Sequence, residues 1–148
     1  MAFLIKNGIL VTARESFKAD ILIEGEQISQ VGNNLPASSR LDIIDAEGKL
    51  ILPGGVDVHT HFDLPMFGTV SSDDHYSGHK AAAFGGTTTV IDFIPQEEVH
   101  LIENVDAWHT KADSKAAVDF GFHMNITHLS KEVERDIPLL IKEGITTL

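Results

Sequence analysis

Apolar positions follow two different rhythms along this chain, and the change falls at Pro53-Gly54-Gly55. Before it, short apolar runs are separated by turn residues. Residues 3–6 and 9–12 flank Asn7-Gly8, residues 19–24 and 27–31 flank Gly25-Glu26, and residues 41–45 and 49–52 flank Glu47-Gly48. Each pair reads as a β-hairpin. Three such pairs predict a small β-sandwich or open barrel. Residues 1–54 are therefore expected to form an N-terminal β-sandwich segment, with the Pro-Gly-Gly break closing it.

After the break the pattern alternates strand and helix. Residues 56–61 read as a strand, with Val56 and Val58 suited to a covered face. Residues 64–72 read as a loop. Ser72 or Asp73 is placed to cap a helix that runs to Phe84 and ends at Gly85-Gly86. Residues 87–93 are dense in β-branched side chains and form the next strand, stopped by Pro95. Residues 99–116 carry Leu101, Ile102, Val105, Trp108 and Ala112 on one helical stripe. Residues 118–126 alternate as a third strand. Pro138 suits a first helical turn, so a helix is expected over 137–143, with Gly144 past its end. Residues 145–148 read as the opening of a fourth strand.

Alternating strands and helices imply an α/β fold with a parallel sheet. A (β/α)8 TIM barrel needs about 250 residues. Residues 55–148 are thus expected to be only the first three to four βα units of such a barrel, within a longer protein. A small doubly wound domain is the alternative.

The chemistry enters at the far end of the first of these strands. Side chains on a strand alternate, so Asp57, His59 and His61 share one face and Val56, Val58 and Thr60 the other. Two imidazoles at i and i+2 reach a single divalent ion without bending the backbone, and neutral imidazole suits zinc. A structural histidine pair is the competing reading. Two ligands do not complete a zinc site, so others must come from elsewhere.

Composition narrows the classes. A chain of 148 residues with 43% hydrophobic residues buries a core. A formal net charge of −11 disfavours nucleic acid and anionic membrane as partners. With no cysteine, neither disulfides nor a thiolate zinc site can form, which suits a reducing cytoplasm. The N-terminus lacks signal-peptide character, and no apolar run is long enough to span a bilayer.

The stretch Pro53-Gly54-Gly55-Val56-Asp57-Val58-His59-Thr60-His61 resembles the amidohydrolase superfamily, specifically its cyclic amidases. Four further stretches fit the resemblance: Gly68-Thr69-Val70-Ser71-Ser72-Asp73-Asp74, Lys80-Ala81-Ala82-Ala83-Phe84-Gly85-Gly86-Thr87-Thr88-Thr89-Val90-Ile91-Asp92-Phe93, Val118-Asp119-Phe120-Gly121-Phe122-His123 and Glu143-Gly144-Ile145-Thr146-Thr147. Together they resemble the dihydropyrimidinase and D-hydantoinase family. The resemblance implies a β-sandwich beside a metal-bearing (β/α)8 barrel. It implies two divalent ions, usually zinc, bridged by a hydroxide and by a carboxylated lysine. His59 and His61 match the first-strand ligands. The bridging lysine would follow Leu148, and the remaining ligands and the general-base aspartate would lie further on. The implied reaction opens a cyclic amide, a dihydropyrimidine or hydantoin, to an N-carbamoyl amino acid. A small-molecule substrate and a homo-oligomer, tetramer or dimer, are implied with it. The alternatives are another cyclic amidase such as allantoinase, or a non-catalytic dihydropyrimidinase-related protein. Such proteins typically replace the second histidine, which is present here as His61.

Other residues are weighed beside these. Asp63 stands where dihydroorotases resemble each other in an arginine that pairs with a substrate carboxylate. An acid there favours a neutral ring, although a loop-capping role serves equally well. Leu64, Met66 and Phe67 lie in the loop that the family uses around the substrate's ring substituent, so Leu64 and Phe67 are candidate substrate contacts. Packing on the barrel is the alternative. His123 and Asn125 share the polar face of the third strand, where they either support the site or are hydrogen-bonded core groups. Asp92 is placed to orient a ligand. Solvated or structural roles are expected for His75, His79, His100, His109 and His128, and a core role for Trp108.

Overall fold

The computed structural model describes residues 2–148. The chain divides into two compact units, Met1–Pro53 and Gly54–Leu148.

The first unit is a sheet of β1 (Ala2–Val11), β2 (Ser16–Glu24), β3 (Gln27–Gly32), β4 (Asp42–Asp45) and β5 (Leu50–Ile51). Strands β2 and β3 form the expected hairpin, turned by Gly25 at φ 64°. The other two expected hairpins do not form. Asn7-Gly8 is a bulge inside one continuous strand, with Asn7 at φ 63° and a register shift between Ile5 and Gly8. Strands β4 and β5 pair in parallel with β1, on either side of that bulge, rather than with each other. The extra residue in β1 is answered by the detour Ala46 to Lys49. Ala46 N donates to the Lys6 carbonyl at 2.8 Å, and Ile9 N to the Lys49 carbonyl at 3.0 Å. A bulge and a type I′ turn share the same αL-prone dipeptide, so local sequence does not separate them.

The bulge is locked by one buried carboxylate. Asp20 accepts from Asn7 N at 3.0 Å, from Lys6 Nζ at 2.9 Å and from Leu35 N at 3.0 Å. Those bonds, the Asn7 amide foremost and the Lys6 ammonium next, hold its carboxyl below the usual range.

The second unit contains β6 (Gly55–Thr60), a two-stranded ribbon of β7 (Pro65–Met66) and β8 (Thr69–Val70), α1 (His75–Gly85), β9 (Thr87–Pro95), α2 (Leu101–Ala112), β10 (Asp119–Asn125) and α3 (Lys131–Lys142). Strands β6, β9 and β10 make a parallel sheet with β9 in the centre. Helix α1 is capped by Asp74, one residue beyond the expected cap, in a reciprocal capping box with Ser77. It ends at Gly86, whose φ of 84° only glycine adopts readily.

The core lies on the helix side of this sheet. Ile94 of β9 and Met124 of β10 meet Leu101, Val105, Trp108 and Ala112 of α2, all nearly or fully buried. Each of the valine, leucine, isoleucine and methionine side chains among them contributes about 1.5–3 kcal/mol of burial. Helix α3 starts six residues before the expected 137, and Pro138 lies inside it. Its apolar stripe of Val133, Ile137 and Leu140 packs on the core and carries the helix through the proline. Residues 145–148 form no strand, although Ile145 is buried and the Thr147 carbonyl accepts from Met124 N at 3.2 Å. Val56 and Val58 are more than half exposed, against expectation, because helices α1 and α2 cover β9 and not β6.

Candidate functional site

Parity along the sheet separates two faces. On β9, Val90, Asp92 and Ile94 turn to the helices. Phe93 turns the other way, and three imidazoles gather on it. His59 lies 4.5 Å from the Phe93 ring, His61 5.3 Å and His123 4.7 Å, centroid to centroid. His59 is the penultimate residue of β6 and His61 follows its last residue. Their ring centroids are 5.0 Å apart in an edge-to-face arrangement. Both rings are exposed. The alternation that placed them on one face thus converges them at the carboxyl end of a parallel strand.

The donor chemistry fits a divalent ion in part. A ring separation of 5.0 Å is compatible with a shared ion, but among the described residues no group of three or more His, Cys, Asp or Glu is placed to hold a metal. His123 belongs to the backbone rather than to a ligand set. Its Nε2 lies 2.9 Å from the Val58 carbonyl, and its Nδ1 is bonded to Thr147 Oγ1. It therefore ties the end of β6 to the segment after α3.

The residues around this pair have separate tasks. Leu64, a candidate substrate contact, lies in the hydrophobic core of the unit. Its amide donates to Ser71 Oγ at 2.9 Å and its carbonyl accepts from Ser71 N at 2.9 Å, which turns the side chain inward. Phe67 is 99% exposed at the tip of the β7–β8 ribbon. Its φ of 50°, followed by Gly68 at 77°, is a tight left-handed turn that a bulky side chain occupies only at a cost. Asp63 supports the first turn of α1 beside the Asp74 cap. It accepts from His75 N at 3.3 Å and pairs with Lys115 Nζ at 3.4 Å. Asn125 is exposed and ends β10.

On the helix face behind the pair lie Asp92, which the sequence places to orient a ligand, and His75 and His79, for which it predicts solvated or structural roles. His75 and His79 are fully buried, and Asp92 is 1% exposed. Burial drives the His75 pKa down to about 4, with the neighbouring His79 adding to the effect, and it lowers His79 as well. Burial raises the Asp92 carboxyl. The i, i+4 spacing of His75 and His79 on a helix was the available signal, because it places both on one face.

No family model matches the chain. The mixed α/β fold is that of solved hydantoinases. A D-hydantoinase crystal structure superposes with a TM-score of 0.92 at 44% identity, over 99% of this chain and 32% of that one. A dihydropyrimidinase from Brevibacillus agri gives 0.93 at 43% identity over the same shares. The D-hydantoinase of Geobacillus stearothermophilus is 46% identical over 149 residues, 99% of this chain and 31% of that protein. The dihydropyrimidinase of Dictyostelium discoideum is 45% identical over 141 residues, 95% of this chain and 28% of that protein. The chain is therefore a homologue of D-hydantoinases and dihydropyrimidinases over nearly its whole length, and it spans about a third of theirs. No helix among the described residues is long and apolar enough to cross a membrane.

Proposed function

We propose that this chain supplies the opening βα units of a (β/α)8 barrel in a metal-dependent cyclic amidase. The reaction is hydrolysis of the ring amide of a hydantoin or dihydropyrimidine to an N-carbamoyl amino acid. The observation that carries this reading is the convergence of His59 and His61 at the carboxyl end of β6, the end at which barrels of this class place their sites. The identity to enzymes named for these reactions supports it.

His59 and His61 would hold a divalent ion, with imidazole donors suited to zinc. By resemblance a second ion and a carboxylated lysine would join it from outside these residues. Such ions supply a Lewis acid for the ring carbonyl and acidify water near neutral pH. This chain's own residues prepare the site. Phe93 sets the planes of both rings by contact, and His123 fixes the Val58 carbonyl beside His59. Phe67 reaches outward to meet the substituent on the substrate ring. Asp63 is committed to α1 and Lys115, so this loop presents no cation for a substrate carboxylate, which favours a neutral ring. The cysteine-free sequence suits the cytoplasm, and the resemblance implies a homo-oligomer.

The test is turnover of hydantoin and dihydrouracil by the intact protein. Chelation is expected to abolish release of the carbamoyl product and zinc to restore it. His59→Ala and His61→Ala are expected to lower kcat/KM at least ~100-fold. Full turnover in either variant contradicts the assignment.

A further inference from the structure

Opposite the imidazole face, a continuous line of buried polar groups runs from helix α1 to the end of β6. Ala117 N donates to His79 Nδ1 at 3.3 Å. That leaves His79 with its proton on Nε2, which lies 3.4 Å from His75 Nδ1. His75 then carries its own proton on Nε2. This fully buried N–H has no hydrogen-bond partner among the described residues, and it faces Asp92 Oδ2 at 3.8 Å. Asp92 Oδ2 accepts from Trp108 Nε1 at 3.3 Å. Its Oδ1 accepts from Thr60 Oγ1 and from Phe62 N, each at 3.2 Å. Thr60 and Phe62 are the residues on either side of His61.

A carboxylate 1% exposed inside an apolar core is costly, and simple packing has no need of it. What it provides is directional. Its two bonds to Thr60 and Phe62 pin the backbone just where β6 ends and the chain turns into the loop, the point at which strand geometry no longer dictates where a side chain points. The ring that this pinning aims is His61. Trp108 Nε1 and the Nε2 edge of His75 restrict the carboxylate from behind. We infer that Asp92 is a positioning residue for His61, held in place by Trp108 and backed by the His75–His79 pair. The inference rests on the metal-pair reading above and deepens it.

The test uses the intact protein and measures zinc affinity, together with the visible spectrum of its cobalt(II) form, well below the unfolding temperature. Asp92→Asn keeps the size of the side chain. Whichever way the amide sits, its NH2 group faces a donor, either Trp108 N–H or the Thr60 and Phe62 pair. The expected result is a 10- to 100-fold loss of zinc affinity and altered cobalt bands. The Thr60 hydroxyl is shared between Asp92 Oδ1 and the Ile91 carbonyl at 3.1 Å; Thr60→Val removes both contacts without touching the carboxylate, and is expected to weaken zinc by about 3- to 10-fold. A folded Asp92→Asn protein with wild-type affinity and spectrum overturns the inference. If that variant does not fold, wild-type affinity and spectrum in Thr60→Val overturn it. His61→Ala separates the two levels. When it loses zinc while both supporting variants do not, only the positioning role falls. When it keeps wild-type zinc binding, the metal-pair reading falls, and this inference with it.

Discussion

Gly78 on helix α1 is in close contact with the ring of Phe62. A Cβ added at Gly78 would lie 2.1 Å from Phe62 Cε1, far inside van der Waals contact. Phe62 is buried, sits between the imidazoles of His75 and His79 at 5.4 Å from each, and follows His61 directly. Helix propensity alone favours alanine over glycine by about 1 kcal/mol. Overpacking against an aromatic ring costs about 1–3 kcal/mol, and the ring cannot move without moving the histidine before it. Gly78→Ala is therefore expected to lower stability by up to about 2 kcal/mol in urea unfolding. Gly85→Ala is the control, because a Cβ there meets nothing, and it is expected to be neutral or stabilising. Equal effects at the two sites would contradict this packing.

The buried histidines give stability a pH dependence. His75 falls from 6.5 to about 4 on folding. A histidine with a depressed folded pKa is favoured neutral, so below pH 6.5 the unfolded chain takes up the proton first and stability falls until about pH 4. Asp92, raised by burial, acts with the opposite sign, losing stability as pH rises from 3.8 through its folded value. The two overlap, and His79, Asp63, Lys111 and Lys115 also act on the imidazole pair. The clean observable is thus the difference between wild type and His75→Gln. That difference is expected to narrow by about 2 kcal/mol between pH 7 and pH 4.5. A difference independent of pH would show that His75 titrates normally.

In the first unit, Asp20 is the tie across the bulge of β1. Removing it leaves the Asn7 and Leu35 amides and the Lys6 ammonium without their shared acceptor. Asp20→Ala is expected to cost about 2–4 kcal/mol at neutral pH. Because the folded pKa lies below 3.8, that contribution is complete above 3.8 and disappears as pH falls through the folded value. Denaturation midpoints of wild type and variant, followed from pH 7 to below pH 3.8, check it, with the gap expected to narrow once pH falls below 3.8.

Leu64 and Phe67 separate by depth. Leu64→Ala opens a cavity in the core and is expected to cost about 2–4 kcal/mol. Phe67→Asn removes no buried contact and places a residue tolerant of φ 50° in the turn, so a gain of about 0.5–1 kcal/mol is expected. In the intact protein the same change is expected to lower the kcat/KM ratio of aryl over alkyl hydantoins several-fold. An unchanged ratio removes Phe67 from the substrate's path.

Period and punctuation in the sequence revealed the second unit's elements well. The strand over 87–93, the Trp108 stripe and the alternating third strand are each present in the structure, because every one is a hydrophobic pattern that also becomes a buried face. The sequence predicts helix α3 six residues late because Pro138 dominates local reading, whereas the stripe from Val133 to Leu140 decides in the fold. Asn7-Gly8 misled for the complementary reason. The same dipeptide serves a turn or a bulge, and only the distant strands β4 and β5 select the bulge. Convergence of His59 and His61 followed from strand alternation. The Asp92, His75 and His79 line did not, since it joins a strand, a helix and a loop far apart in sequence.

The central claim is that His59 and His61 share one ion, and anomalous diffraction at the zinc edge from crystals of the intact protein tests it most directly. The account predicts a peak about 2.0–2.1 Å from one ring nitrogen of each histidine. A zinc-loaded crystal with no peak between the two rings, or with the ion bound elsewhere, would contradict it.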